Sequence, residues 1–158
     1  MLDTVSQLGV EAIELGCGNW SNAPHLNLDE LLGSEVARTA YKGAISQRGL
    51  WIAALNCSGN QLHPGESGKR HAAVVEKTFR LAEKLGIRTV VMMSGLPGGS
   101  PKDEMPNWIT HVILPEDDEA LNYQWNACLI PYWRKAADLA KSCGIKVANR
   151  EPWPHHDP

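Results

Sequence analysis

The chain has 158 residues, 43% of them hydrophobic and 21% charged, which is the composition of an ordinary globular domain long enough to bury a core. Fifteen Lys and Arg against eighteen Asp and Glu leave a formal net charge of −3, which excludes a strongly basic nucleic-acid binder on charge alone. No run approaches about 18 consecutive apolar residues, and the start Met1-Leu2-Asp3 has neither the basic nor the apolar region of a secretory signal, so no membrane partner is expected and the expected compartment is the cytoplasm.

Leu2, Val5 and Leu8 open the chain at helical spacing and stop at Gly9. A short apolar run follows at 12–15. This punctuation recurs three more times. Gly49-Leu50 leads into a run at 51–55, Gly86-Ile87 into 89–93, and Gly144-Ile145 into 146–148. Each Gly marks a helix end in the left-handed conformation, and each run reads as a strand covered on both faces. Between the runs lie helical patterns. Asn27 is an N-cap with Glu30 at the third helical position, and Leu32, Val36 and Ala40 extend one helix to Gly49. A second covers about 67–85, with Val75, Phe79 and Ala82 on its apolar stripe. A third covers about 131–143, with Trp133, Ala137 and Ala140 buried, and a further helix at 117–130 is expected to break at Pro131. An insertion occupies about 94–118. Cys17, Cys57, Cys128 and Cys143 form no Cys-x-x-Cys pair, so reduced, buried thiols are expected rather than a zinc ribbon or redox motif.

Strand, helix, Gly, strand is the βαβ unit, with parallel strands and right-handed crossovers. The fold class is therefore α/β. The chain starts inside a helix and stops after a strand, which reads as a segment of a larger repeating α/β protein. A small flavodoxin-like domain is the alternative. In either case a ligand belongs at the carboxyl ends of the strands, in loops 16–24, 56–66, 94–118 and 150–158. These loops hold most of the histidines and prolines. The first begins Gly16-Cys17-Gly18 but carries Ser21 where a dinucleotide fingerprint needs its third Gly, and no helix follows at once. No phosphate loop, serine elbow or His-Glu-x-x-His motif occurs.

Single residues then stand out. Glu14 interrupts an apolar strand, so either a ligand or an ion pair must offset its desolvation. His63 lies in Leu62-His63-Pro64 after the second strand. Asn107-Trp108 lies in the long loop, as a lid or as an anchor held by Trp burial. His71 reads as helix surface. His111 and His155-His156 lack ligand partners at convincing spacing. Glu151 follows the last strand, where a barrel enzyme places a carboxylate.

The set Gly9-Val10-Glu11-Ala12-Ile13-Glu14-Leu15-Gly16, Asn56-Cys57-Ser58-Gly59-Asn60-Gln61-Leu62-His63-Pro64, Ser94-Gly95-Leu96-Pro97-Gly98, Pro106-Asn107-Trp108 and Ile130-Pro131-Tyr132-Trp133 resembles xylose isomerase-like sugar phosphate isomerases and epimerases. That resemblance implies a parallel (β/α) barrel of the TIM type, of which 1–148 would supply a partial barrel of about four strands, the second to the fifth of eight. It implies aldose–ketose isomerisation or epimerisation through an enediolate, on a small sugar or sugar phosphate. A divalent metal (Mn, Mg, Co or Zn) would be held mostly by residues beyond this chain. Glu14, Trp20, Asn56, His63, Asn107 and Trp108 would face the substrate. Glu151 would be the catalytic and metal-binding carboxylate, but the family's strand-Glu-x-His-Pro pattern is departed from here. The chain reads Asn149-Arg150-Glu151-Pro152-Trp153-Pro154-His155, so 149–158 is an atypical tail, as a frameshift or truncated reading frame would produce. Two other readings compete. One is a zinc-dependent endonuclease-like hydrolase of the same superfamily, which the −3 charge and lack of a basic stripe oppose. The other is a non-catalytic remnant, since a half barrel exposes two strand edges and invites instability or homo-oligomerisation.

Overall fold

A computed structural model describes residues 1–111 and 114–150. Its elements alternate along the chain. They are α1 (Leu2–Gln7), β1 (Ala12–Gly16), α2 (Leu28–Gly33), α3 (Glu35–Ser46), β2 (Trp51–Asn56), α4 (Glu66–Leu85), β3 (Thr89–Met93), α5 (Pro115–Asn122), a π-helical segment (Tyr123–Leu129), α6 (Ile130–Ser142) and β4 (Lys146–Arg150). The four strands are parallel and lie in chain order β1-β2-β3-β4. A flavodoxin-like sheet would place its second strand on the far side of the first, so this order removes that alternative and leaves a barrel wedge. Among the described residues, no helix is long and apolar enough to cross a membrane.

The Gly-apolar pairs do what their chemistry predicts. Gly9, Gly49, Gly86 and Gly144 all have φ between 68° and 76°. At each, the next residue donates its N–H to the carbonyl five positions back: Val10 to Val5, Leu50 to Ile45, Ile87 to Ala82 and Ile145 to Ala140. This is the Schellman closure, which satisfies the last carbonyls of the helix and turns the chain directly into a strand. At the last three, both partners are buried, so an apolar contact clamps the turn.

One cross-strand row, Leu15–Leu55–Val90–Val147, packs under the helices. It joins Phe79, Leu81 and Leu85 of α4, Ile45 of α3 and Ala140 of α6 in one core. Phe79 is fully buried. The next row, Gly16–Asn56–Val91–Ala148, faces the other way, and Glu14 on that face is exposed. The helices therefore cover one face of the sheet, as on the outside of a barrel. The wall of the barrel lumen is the face left bare.

Two expectations need correction. The single helix expected from Asn27 to Gly49 is two helices. Ser34 leaves the helical region (φ −124°, ψ 118°), and its hydroxyl caps Ala37 N–H. The guanidinium of Arg38 collects the open carbonyls of Leu31 and Leu32 at 2.7 and 3.2 Å, so the break costs little. Pro131 does not break its helix either. It is the second residue of α6, where its missing N–H is tolerated, and the wider π turn ends just before it. The last strand also runs on past 148, pairing Asn149 with Met92 and Arg150 with Met93.

A Cβ built on Gly86 meets nothing within 4 Å, so Gly86→Ala changes only the cost of a left-handed backbone. Urea unfolding should show a loss of about 1 kcal/mol. Phe79→Ala, which opens a cavity in the core, should cost about 3–5 kcal/mol.

Candidate functional site

The carboxyl ends of all four parallel strands lie at one rim, and the loops that leave the first three are tied together by side chains that replace main-chain partners. Asn60 does most of this. Its Nδ2 donates to the carbonyl of Leu96 at 2.8 Å while its Oδ1 accepts from Leu96 N–H at 2.8 Å. The amide thus pairs with the loop after β3 as a strand neighbour would. The main-chain N–H of Asn60 donates to Nδ1 of His71 on α4 at 2.9 Å. Asn19, in the left-handed region at φ 67°, donates to the Cys57 carbonyl at 2.8 Å and binds the loop after β1 to the loop after β2. Gln61 donates to the carbonyl of Met93 at 2.7 Å, and the Trp133 indole on α6 donates to the Ser94 carbonyl at 3.0 Å. Asn19, Asn60, Gln61 and His71 have no place among the sequence-derived site residues. The Gly18-Asn19 and Gly59-Asn60 pairs were the available signal, since Asn after Gly favours turns. His71, expected on the surface, is a half-buried anchor.

The expected substrate residues divide into three groups. Glu14 and Asn56 are in contact: Asn56 Nδ2 donates to Glu14 Oε1 at 2.7 Å on the bare face of the sheet. Asn56 Oδ1 accepts from Ser58 N–H at 2.8 Å, so the amide is held rigidly and in turn orients the carboxylate. His63 and Trp20 belong to the adjoining loops. His63 Nδ1 accepts from Gly65 N–H at 3.0 Å, which leaves the neutral ring its proton on Nε2. The His63 main chain lies against Gly68 in the first turn of α4, close enough that any Cβ there would collide with the His63 carbonyl. The Trp20 main-chain N–H donates to the Ser58 carbonyl at 3.1 Å, and the residue exposes 64% of its surface. Asn107 and Trp108 ride on the long loop. Asn107 N–H binds the Pro97 carbonyl at 2.9 Å and its carbonyl accepts from Gln124 at 2.7 Å. Trp108 is 49% exposed, and the Asn107 main chain supplies two of the hydrogen bonds that hold this loop. Glu151, His155 and His156 lie outside the described residues. His111 pairs with Asp117 at 2.9 Å in an exposed contact.

Cys17 and Cys57 sit beneath this rim, fully enclosed, and burial pushes both thiols up to about 12. They are packing groups, not nucleophiles. All four cysteines are free. Among the described residues, no three His, Cys, Asp or Glu side chains gather as a metal site. Glu14 is a single carboxylate already paired with an amide, too few oxygens for a divalent cation that takes six or more. The described residues therefore do not hold a metal by themselves.

Residues 2–157 match the sequence profile of the xylose isomerase-like TIM barrel family. The uncharacterized protein YfiH of Bacillus subtilis is 48% identical over 151 residues, spanning 94% of this chain and 48% of its own length. The chain thus spans about half the length of the curated relative it matches. Among solved structures, a xylose isomerase-like TIM barrel protein from Mycobacterium smegmatis in complex with magnesium superposes with a TM-score of 0.52 at 20% identity, over 92% of this chain and 44% of its own. A D-psicose 3-epimerase in the presence of D-fructose superposes with a TM-score of 0.50 at 16% identity, again over 92% and 44%. These likenesses establish the fold.

The His71 bond yields a pH prediction. Burial lowers the His71 pKa from the ordinary 6.5, helped by nearby Arg70 and His63, and the Asn60 N–H needs Nδ1 unprotonated. The unfolded chain then binds more protons than the folded one below about pH 6.5. Stability conferred by neutral His71 is complete above that value and is lost as the pH falls through the lowered folded pKa. Thermal unfolding of His71→Gln, measured against the parent chain, should show a gap that narrows from pH 7.5 to pH 5. A gap independent of pH would contradict this role.

Proposed function

The chain belongs to the xylose isomerase-like TIM barrel family, and on that premise we propose that it builds one side of the active site of a sugar isomerase or epimerase. The reaction would interconvert aldose and ketose, or invert a hydroxylated carbon, through an enediolate. The observation that carries this reading is the Glu14–Asn56 pair. A carboxylate held in the middle of β1 on the lumen face, by a fixed amide at the carboxyl end of β2, offers acceptor oxygens to the hydroxyl groups of a polyol. His63, with its proton on Nε2, adds a neutral donor for a hydroxyl or carbonyl oxygen. The exposed indole of Trp20 gives the C–H face of a sugar ring an apolar partner. Asn107 and Trp108 would close over the site on a loop fixed by Pro97 and Gln124.

These residues bind and orient. The proton transfer between neighbouring carbons needs carboxylates of matched pKa, and Glu151 is this chain's candidate by its place after β4. The divalent ion of this enzyme class polarises substrate oxygens when bound; its donors would lie beyond the described residues, Glu151 among them. Free and phosphorylated sugars both belong in the test.

Titration of the chain with a panel of aldoses and ketoses, free and phosphorylated, should quench tryptophan fluorescence in a saturable way. Glu14→Gln should weaken the best ligand at least about tenfold, or about 1.4 kcal/mol. With manganese or magnesium supplied, proton NMR should show exchange at the carbon beside the carbonyl. Cleavage of an abasic oligonucleotide with zinc, and no response to sugars, would favour the hydrolase reading. Silence in both assays, with no manganese binding by calorimetry, would favour the remnant.

A further inference from the structure

All four polar groups of Asn60 are in use, and they hold different parts of the rim. The side-chain amide pairs with Leu96 through Nδ2 and Oδ1, at 2.8 Å each, and so fixes the loop after β3. Oδ1 also accepts from Leu62 N–H at 3.2 Å, and the Asn60 carbonyl accepts from His63 N–H at 3.2 Å. The fourth group, the main-chain N–H, donates to Nδ1 of His71 on α4 at 2.9 Å. The other partners are main-chain groups that do not titrate; the imidazole does. It can accept this bond only while Nδ1 carries no proton. On protonation Nδ1 becomes a donor, and two N–H groups face each other across the contact. The charged groups that act on the ring are Arg70 beside it on α4 and His63 in the loop after β2, so a proton on His71 is opposed by basic neighbours as well as by burial. From the loop after β1 the residue meets the neutral amide of Asn19, whose Nδ2 lies 3.4 Å from the His71 carbonyl.

We propose that His71 is a positioning residue for the rim, and that a proton switches it. Neutral His71 holds Asn60, and through Asn60 it holds both the loop after β3 and the main chain of His63. Protonated His71 releases Asn60, and the two segments lose their shared anchor together. Acid then loosens the rim before it unfolds the sheet, because the strands and the Gly-apolar turns at their other end contain no part of this contact. The device is local: it works through one imidazole and one asparagine, 11 residues apart. It concerns how the loops are held and not what they bind, so it can fail while the sugar reading stands, and the reverse.

Nitrogen-15 NMR on the full chain tests this. At neutral pH, long-range proton–nitrogen spectra should show His71 Nδ1 without a proton, and Leu96 and His63 should have backbone order parameters of about 0.85, those of a rigid backbone. As the pH falls, His71 should titrate with a midpoint below 6.5. With that same midpoint the order parameters of Leu96 and His63 should fall below about 0.6, while buried Leu55 in β2 stays rigid. In His71→Gln, which takes up no proton, the order parameters of both residues should not depend on pH. In His63→Gln the loosening of Leu96 should persist, which assigns it to His71 and not to its basic neighbour. Leu96 and His63 that stay rigid beside a protonated His71 overturn the proposal. So does loosening that survives in His71→Gln or vanishes in His63→Gln, and so does a chain that unfolds before His71 titrates.

Discussion

The rest of the structure depends on how each helix hands the chain to the next strand. Four times, a left-handed Gly and the apolar residue after it close the helix with the same pair of hydrogen bonds and reverse the chain within two residues. Such a turn leaves almost no slack. It fixes where the strand begins and which residue of the strand first faces the helices. Repetition of one turn gives one repeated strand entry, so the four strands lie parallel and in chain order. The opposite ends carry no such constraint, and there the loops are long, varied and rich in polar side chains. Tight turns gather at one end of the sheet and polar loops at the other, the arrangement by which (β/α) barrels separate stability from chemistry.

That division also decides what could be read from the amino-acid sequence. Gly-apolar pairs are local signals, and so are the apolar runs that follow them, so the strands and their direction were legible without any long-range information. The N-cap at Asn27 was legible for the same reason. The break at Ser34 was not, because Leu32, Val36 and Ala40 keep helical spacing across it, and only the reach of Arg38 to the carbonyls of Leu31 and Leu32 makes the interruption tolerable. The uninterrupted passage through Pro131 was hidden likewise, since a π turn has no strong composition of its own. At the rim, Glu14 and His63 declared themselves by being polar where the pattern is apolar or beside Pro. Asn60 and His71 did not, because their partners lie 36 and 11 residues away and a hydrogen bond at that separation leaves no periodic trace.

On the proposed reading, the carboxylate, amide, imidazole and indoles of the rim bind and orient, and Glu151, directly after β4 in the sequence, is the candidate for moving the proton. Glu14 sits comfortably where it is because Asn56 and an open face keep it solvated. Enclosing that face would raise the cost of its charge and strengthen every hydrogen bond it makes.

The amide of Asn60, paired to Leu96 through both its donor and its acceptor, has a consequence for how such a protein can change over time. With Asn19 joining the loop after β1 to the loop after β2, three loops form one welded piece. A substitution that reshapes one of them displaces the other two, so the shape of the rim cannot drift loop by loop. A new rim shape would be reached by trading the welded piece as a unit, or by varying the loops that lie outside it.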